Sequence, residues 1–375
     1  MSVGQINVLP KIDGKKFGWP WTVETNLDLY SSNQSWPKIS IVTPSFNQGK
    51  FIEETIRSVL LQNYPNLEYI IIDGGSTDET ISIIKKYEKW LSFWESKPDK
   101  GQSHAINKGI ERCSGELFNW VNSDDYLESD ALYNIATTYK NNTESIIIAG
   151  SARGFDDDSD RNTSRIINAA PSHKSLSENI GSYQVLQISS FFNLNHIRSF
   201  AYPINEQFHF SMDCELFLKC LLATSFRGKA VCDKIITNAR SHKFSKGGRQ
   251  DTLASDFLCE ECTLYYALAD YFDLHTEKNN LRILTKEKLD RNYKFDIALL
   301  KDIDSDSVKK GINIFFMKKF ESFYGQSLLS EARLFMSLID VACLDKKNQK
   351  IFNRISNNLI YLWPFIKLKR KFINK

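Results

Sequence analysis

The chain of 375 residues has no uninterrupted apolar run of the ~18–20 residues needed for a spanning helix, so an ordinary transmembrane segment is not expected. Met1 to Lys11 contains no basic segment followed by an apolar core, and no secretory leader is expected either. Neither a Walker loop nor G-x-G-x-x-G occurs, which removes two common ways of cradling phosphates. Cysteine is sparse and odd in number: Cys113, Cys214, Cys220, Cys232, Cys259, Cys262 and Cys343 read as free thiols of a cytoplasmic protein. Cys259 and Cys262 make one C-x-x-C, but no second Cys or His pair follows at zinc-finger spacing. They sit among Phe257, Leu258, Leu264 and Tyr265 and read as part of a helix. Charge of one sign is also lacking: 48 Lys+Arg against 45 Asp+Glu give +3, which excludes a polyanion coat and makes nucleic acid an unexpected partner. Acids are absent after Asp345, where nine Lys and Arg fall, so residues 1–345 carry −6.

What is present is an alternation. Residues 1–36 are polar, broken by Gly14, Gly18 and Pro20 and anchored by Trp19 and Trp21, and read as an arm lying across the body. Then Ile39–Thr43 predicts a short strand closed by Pro44, and Ile52, Ile56, Val59 and Leu60 predict a helix. Leu67–Asp73 predicts a strand buried on both faces. Ser76 and Glu79 have capping-box spacing for the next helix. Helices at Gln102–Arg112 and Ser129–Tyr139 separate strands at Leu117–Val121 and Ser145–Gly150. The expected fold is α/β, a mostly parallel sheet flanked by helices over residues 37–250, with a helical region over 251–375.

In such a sheet, ligands collect outside the carboxyl ends of the strands. Three polar clusters fall there: Thr43-Pro44-Ser45-Phe46-Asn47, Asp73-Gly74-Gly75-Ser76-Thr77-Asp78 and Asn122-Ser123-Asp124-Asp125. Adjacent carboxylates repel unless a cation intervenes, and Mn2+ or Mg2+ bridging phosphates would supply that charge. A solvated turn with an Asp helix cap is the plainer reading of the same pair. Asp99 to Gly109 places small and polar residues at a helix start, which suits phosphate or ribose oxygens or simply an ordinary surface helix.

Together these segments resemble the inverting family 2 glycosyltransferases of bacteria, which have the GT-A fold and use nucleotide-sugar donors. The resemblance is carried by Ile41-Val-Thr-Pro-Ser-Phe-Asn47, Ile72-Asp-Gly-Gly-Ser-Thr-Asp78, Gly101-Gln…Ala105-Ile-Asn-Lys-Gly109 and Trp120-Val-Asn-Ser-Asp-Asp125, and it weakens toward residue 250. It implies that Thr43, Pro44, Ser45, Phe46, Asp73, Gln102, Asn107, Lys108 and Asp124 hold the nucleotide, with Asp125 on the metal and His242 completing the metal or diphosphate site. It also implies that Phe210-Ser-Met-Asp-Cys-Glu-Leu216 supplies the catalytic base, Asp213, with Glu215 as the fallback. Arg240-Ser-His242…Ser245 would close over the donor. The implied reaction is transfer from a nucleotide-sugar, a UDP-sugar favoured, to a lipid-linked or oligosaccharide acceptor in surface polysaccharide synthesis. A sugar-phosphate nucleotidyltransferase would want a Gly-rich basic loop at Thr43–Asn47, and a non-catalytic nucleotide-sugar-binding subunit would not need Asp124, Asp125 and Asp213. Relatives commonly carry a second acid where this chain has Gly74, often one that reads uracil, and Asp where it has His104. Base recognition therefore differs or rests on Asp73 and backbone groups.

Three further segments carry expectations. Asp156-Asp-Asp-Ser-Asp160 lacks the spacing, Gly and closing Glu of an EF-hand and reads as a solvated hairpin turn. Gln187 and Ser189 fall on an expected strand where they could touch a sugar. Ile351, Ile355, Leu359, Leu362 and Trp363 form an apolar stripe that Pro364 should end or kink, followed by the basic Lys367–Lys375. Such a segment suits the anionic inner face of a plasma membrane, or else the stripe packs on the protein's own core.

Overall fold

The computed structural model describes residues 4–12, 14, 16–30, 34–157, 164–173, 175–182, 186–242 and 254–373, of which 254, 255 and 360–373 are described by backbone alone. The chain divides into two compact units: residues 1–171 with 184–254, and residues 172–183 with 255–375.

The first unit is built on one sheet. Its elements are β1 (Ile39–Ser45), α1 (Ile52–Leu60), β2 (Leu67–Asp73), α2 (Thr80–Tyr87), β3 (Phe93–Ser96), α3 (Gln102–Arg112), β4 (Leu117–Trp120), β5 (Tyr126–Leu127), α4 (Ala131–Lys140), β6 (Ile147–Asp156) and β7 (Arg165–Ile167). After α5 (Leu176–Gly181), which belongs to the second unit, come β8 (Ser190–Asn193), α6 (Leu194–Arg198), α7 (Met212–Leu222) and β9 (Lys229–Ser241). Strand order is β3-β2-β1-β4-β8-β6-β9-β5, with β7 on β6. The run β3-β2-β1-β4 is parallel, as the βα alternation requires. Beyond it β8 pairs antiparallel with both β4 and β6, and β5 and β7 are antiparallel to their partners. The expected sheet flanked by helices is present; beyond β4 it also takes antiparallel pairings, while β6 and β9 again run parallel.

β1 is buried along its whole length. Ile39, Ile41 and Ile71 face Ile52, Ile56, Ile83, Ile84 and Ile135 in one apolar core. On the opposite face α3 comes so close that a Cβ on Gly109 would stand 2.5 Å from Val42 Cγ1, which is why that helix carries Gly there. Trp120 stacks on Phe192 (6.1 Å) and Phe192 on Phe217 (5.6 Å), fixing α7 on this face. Pro44 does not close β1 but lies within it, paired with Ile72. The Val42 carbonyl accepts from Val121 on the β4 side. Pro44 faces the same way two residues on, past the end of the β1–β4 register at Val42, so no ladder donor is lost.

Ser76 is not a helix cap. α2 begins at Thr80, and the Ser76 hydroxyl instead donates to Asp73 and accepts the Asn47 N–H. The arm does lie on the body: buried Arg57 donates to the carbonyls of Pro10, Pro20 and Trp21, and Trp19 Nε1 donates to the Leu127 carbonyl.

The second unit is helical: α5, α8 (Ala254–Tyr271), α9 (His275–Thr285), α10 (Ser305–Gly325), α11 (Leu329–Leu338) and α12 (Lys346–Ile373). Gly181 and Gly311 let α5 and α10 touch backbone to backbone, since a Cβ on Gly181 would meet the Gly311 carbonyl at 2.3 Å. Tyr265 stacks on Phe315 at 4.2 Å and donates its hydroxyl to the Ile180 carbonyl. Cys259 and Cys262 are free thiols on α8, and burial pushes both up. α12 does not end at Pro364: one proline removes one N–H from the ladder and the helix continues to Ile373. Ile355 and Leu359 of the stripe are buried, and Phe352 meets Phe320 at 5.7 Å, so this half of the stripe packs on the chain's own helices. The side chains of Leu362, Trp363 and Lys367–Lys375 lie outside the described residues. No described helix is long and apolar enough to cross a membrane.

Candidate active site

A cleft of about 790 Å³ opens outside the carboxyl ends of β1 to β4, in the size range of small-ligand sites. Pro44, Ser45 and Phe46 line it from the end of β1, Gly74 from β2, Asp99 and Gln102 from the segment after β3, Asn122 to Asp125 from β4 and Ala239 to Ser241 from β9. The Phe46 ring is 60% exposed, an apolar face offered to solvent. Ser45 Oγ is buried without a hydrogen-bond partner among the described residues, an unspent hydroxyl on the cleft floor.

The two carboxylates after β4 are placed differently. Asp125 turns inward: Oδ1 accepts the Arg240 main-chain N–H (2.8 Å) and Oδ2 accepts from Asn122 Nδ2 (3.1 Å). Burial, and then the charge of Asp124, push the Asp125 carboxyl well up. Asp124 is the more open of the pair, and its Oδ2 stands 3.0 Å from His242 Nε2. His242 is buried, its ring against Phe51 at 4.8 Å. Asp124 and His242 thus face each other, whereas Asp125 is engaged by backbone and amide. Carboxylate oxygen and imidazole donors side by side fit a divalent cation such as Mn2+ or Mg2+. Among the described residues no three ligating side chains converge, so two protein ligands would leave further positions to diphosphate and water.

Arg240 organises this turn. Its Nε donates to the Asp124 carbonyl (2.8 Å), Nη2 to Glu54 (2.5 Å) and Nη1 to Asp157, with the rings of Phe51 and Phe155 over the guanidinium. Asp157 also takes Lys50 at 2.7 Å; burial alone would raise its carboxyl, but Lys50 and Arg240 outweigh that and hold it low. This part of the acidic run is thus anchored rather than solvated, although β6 and β7 do pair antiparallel around it. Asp158 to Asp160 lie outside the described residues, as does Ser245.

Several expected site residues do not reach the cleft. Thr43 is fully buried beneath it, its hydroxyl 3.1 Å from that of Tyr69. Asp73 spends its carboxylate on Gly75, Ser76 and Ser96, folding the loop after β2, and so has nothing left for a base or ribose. On α3, Gln102 and Ala105 share the face toward the cleft, as i and i+3 must. Asn107 instead brackets Ile204, and Lys108 pairs with Glu95 at 2.5 Å. Gln187 donates to the Trp120 carbonyl and Ser189 to that of Gly150, both internal bonds.

Asp213 is half-buried in the first turn of α7. The preceding Met212 packs its sulfur on Ser103 Oγ (2.7 Å), next to Gln102 of the cleft wall. Glu215 is buried and salt-bridged to Lys219 at 2.9 Å, which itself donates to the Tyr202 carbonyl. The Glu215 carboxylate is thus committed to a buried ion pair.

Sequence reading placed Arg240, Asn122 and Asp99 in segments of interest but gave none of them a role of its own. The signal for Arg240 was electrostatic: a strand end gathering Glu54, Asp124, Asp125 and Asp157 needs an internal cation.

Residues 40–215 match the family model described as "Glycosyl transferase family 2". Over 92 residues, 24% of this chain, it is 38% identical to an uncharacterized glycosyltransferase of Mycobacterium tuberculosis, of which the match covers 35%. Over 125 residues, 33% of the chain, it is 30% identical to a poly-beta-1,6-N-acetyl-D-glucosamine synthase of Staphylococcus epidermidis, of which 30% is covered. The chain thus spans about a third of the length of these curated relatives. The S. aureus TarS fragment 1–349 superposes with a TM-score of 0.53 at 16% identity, over 86% of this chain and 88% of that one. The shared fold is the GT-A type, a curled sheet flanked by helices with a helical region after it.

Proposed function

We propose, from the match of residues 40–215 to the family 2 glycosyltransferase model, that the chain transfers a sugar, with inversion, from a nucleoside diphosphate sugar donor to a glycan acceptor. The observation that carries this reading is the strand-end cleft where Asp124 faces His242 at 3.0 Å beside the unspent Ser45 hydroxyl. The S. aureus fragment of the same fold was solved with UDP and with UDP-GlcNAc, and a UDP-sugar is the donor favoured here. The acceptor favoured is a lipid-linked or oligosaccharide intermediate of a surface polysaccharide.

Asp124 and His242 are the residues that would hold Mn2+ or Mg2+, in place of the Asp125 that the motif suggested. A cation there would offset the charge that grows on the departing diphosphate. The Ser45 hydroxyl and the Gln102 amide line the same cleft and would orient the donor. An acceptor hydroxyl attacks the anomeric carbon as the bond from that carbon to the diphosphate oxygen breaks. Its proton passes to the Asp213 carboxylate. The basic charges of Lys367–Lys375 are the feature of the sequence that would suit an anionic lipid surface.

The test is release of nucleoside diphosphate from a panel of UDP-, GDP- and dTDP-sugars, with Mn2+ and a lipid-extract acceptor. Acceptor-dependent turnover of a UDP-sugar is expected. No release from any donor would overturn the reading.

A further inference from the structure

Gly74 and Asp99 line the cleft from adjacent strand ends, after β2 and β3. A Cβ built on Gly74 would stand 3.0 Å from Asp99 Oδ2 and 3.3 Å from Oδ1. The room a side chain at position 74 would take is therefore filled by the Asp99 carboxylate. That carboxylate is steadied at one oxygen only: Gly101 N–H donates to Oδ1 at 2.8 Å. Oδ2, the oxygen nearer Gly74, accepts no hydrogen bond among the described residues.

The sheet order fixes what meets this oxygen. Asp99, Gly74, Phe46 and Asp124 follow β3, β2, β1 and β4, which are neighbours in that order. At a strand spacing of about 4.8 Å, Asp99 lies some 14 Å along the edge from Asp124. A nucleoside diphosphate whose phosphates lie at Asp124 and His242 runs past Phe46 and brings its base to Asp99. A carboxylate oxygen can only accept, so it selects a base with an N–H on the exposed edge. Asp73, at the end of β2, is consumed by its own loop.

We infer that Asp99 is the base-reading residue of this cleft and accepts the N3–H of a uracil, the carboxylate being supplied from the loop after β3 instead of from position 74. The inference rests on the proposed nucleotide-binding reading. A site built around such a hydrogen bond discriminates against an analogue lacking the donor, because the acceptor is then left unpaired.

The experiment is calorimetric titration of the full chain, in Mn2+, with UDP and with N3-methyl-UDP. Wild type should bind UDP at least ten-fold more tightly than the methylated nucleotide. Asp99→Ala should lose about ten-fold for UDP and with it the discrimination. Gly74 has no positive φ, so a side chain is sterically allowed there once Asp99 is removed. The double variant Gly74→Asp/Asp99→Gly should regain the preference for UDP, and it remains decisive should Asp99→Ala fold poorly. Discrimination that persists in Asp99→Ala, or its absence from wild type, overturns the role of Asp99. Wild type that binds no nucleoside diphosphate at all overturns the nucleotide cleft as well.

Discussion

The Arg240 main-chain N–H donates to Asp125 Oδ1 at 2.8 Å, while the same residue's guanidinium is buried between Glu54 and Asp157. One side chain thus joins α1, the end of β6 and the turn after β4. Replacing it takes the guanidinium away from both carboxylates and breaks two buried ion pairs at once. Arg240→Met should cost about 3–5 kcal/mol of stability, and Arg240→Lys distinctly less. Urea unfolding measures both; a loss below about 1 kcal/mol for the methionine variant contradicts the account.

Asp213 and Glu215 should separate cleanly. Asp213→Asn should lower transfer about 10²–10⁴-fold while nucleotide affinity is kept. Glu215→Gln breaks the buried pair with Lys219 and should lower the melting temperature while transfer persists. Wild-type turnover by Asp213→Asn removes it from the role.

Glu68 sets an acid limit on the first unit. Burial alone would raise its carboxyl, but hydrogen bonds from Lys38, Ser114 and Ser40 outweigh it and hold it at about 2, against an ordinary 4.5. A carboxyl lower in the folded than in the unfolded chain stabilises fully above pH 4.5, and that stability is lost as pH falls toward 2. Glu68→Gln should be less stable than wild type at pH 7, with the difference shrinking between pH 4.5 and 3 in thermal melts. A pH-independent difference contradicts the assignment.

The tail needs a narrow deletion. Removing 351–375 would strip buried Ile355 and Leu359 from the helical unit. Removing only 367–375 should reduce co-sedimentation with anionic vesicles, each lost cation being worth about 1 kcal/mol near such a surface. The melting temperature should not change. Undiminished sedimentation excludes a membrane role for this segment.

In the parallel half β1, β2 and β4 were legible because each is a short apolar run set between helices at 3.6 spacing, and α3 falls where its pattern placed it. β3 was missed, since Phe93-Trp94-Glu95-Ser96 is four residues of mixed polarity. Its identity as a strand comes from pairing with β2, a non-local fact. Motif reading brought Ser45, Phe46, Gln102 and Asp124 to one cleft. It could not tell Asp124 from Asp125, because which of two adjacent side chains turns inward depends on the Arg240 amide 115 positions away. Asp73 and Asn107 carry motif identity yet serve the fold, one closing a loop and the other bracketing Ile204.

The central claim is that Asp124 and His242 hold a cation–diphosphate pair in this cleft, and calorimetric titration of UDP in the presence and absence of Mn2+ tests it most directly. Wild type should bind UDP at least ten-fold more tightly with Mn2+, a difference of about 1.4 kcal/mol. Asp124→Asn should abolish that enhancement, and Asp125→Asn should retain most of it. UDP affinity indifferent to Mn2+ in wild type, or an enhancement lost with Asp125 and kept without Asp124, would contradict the account.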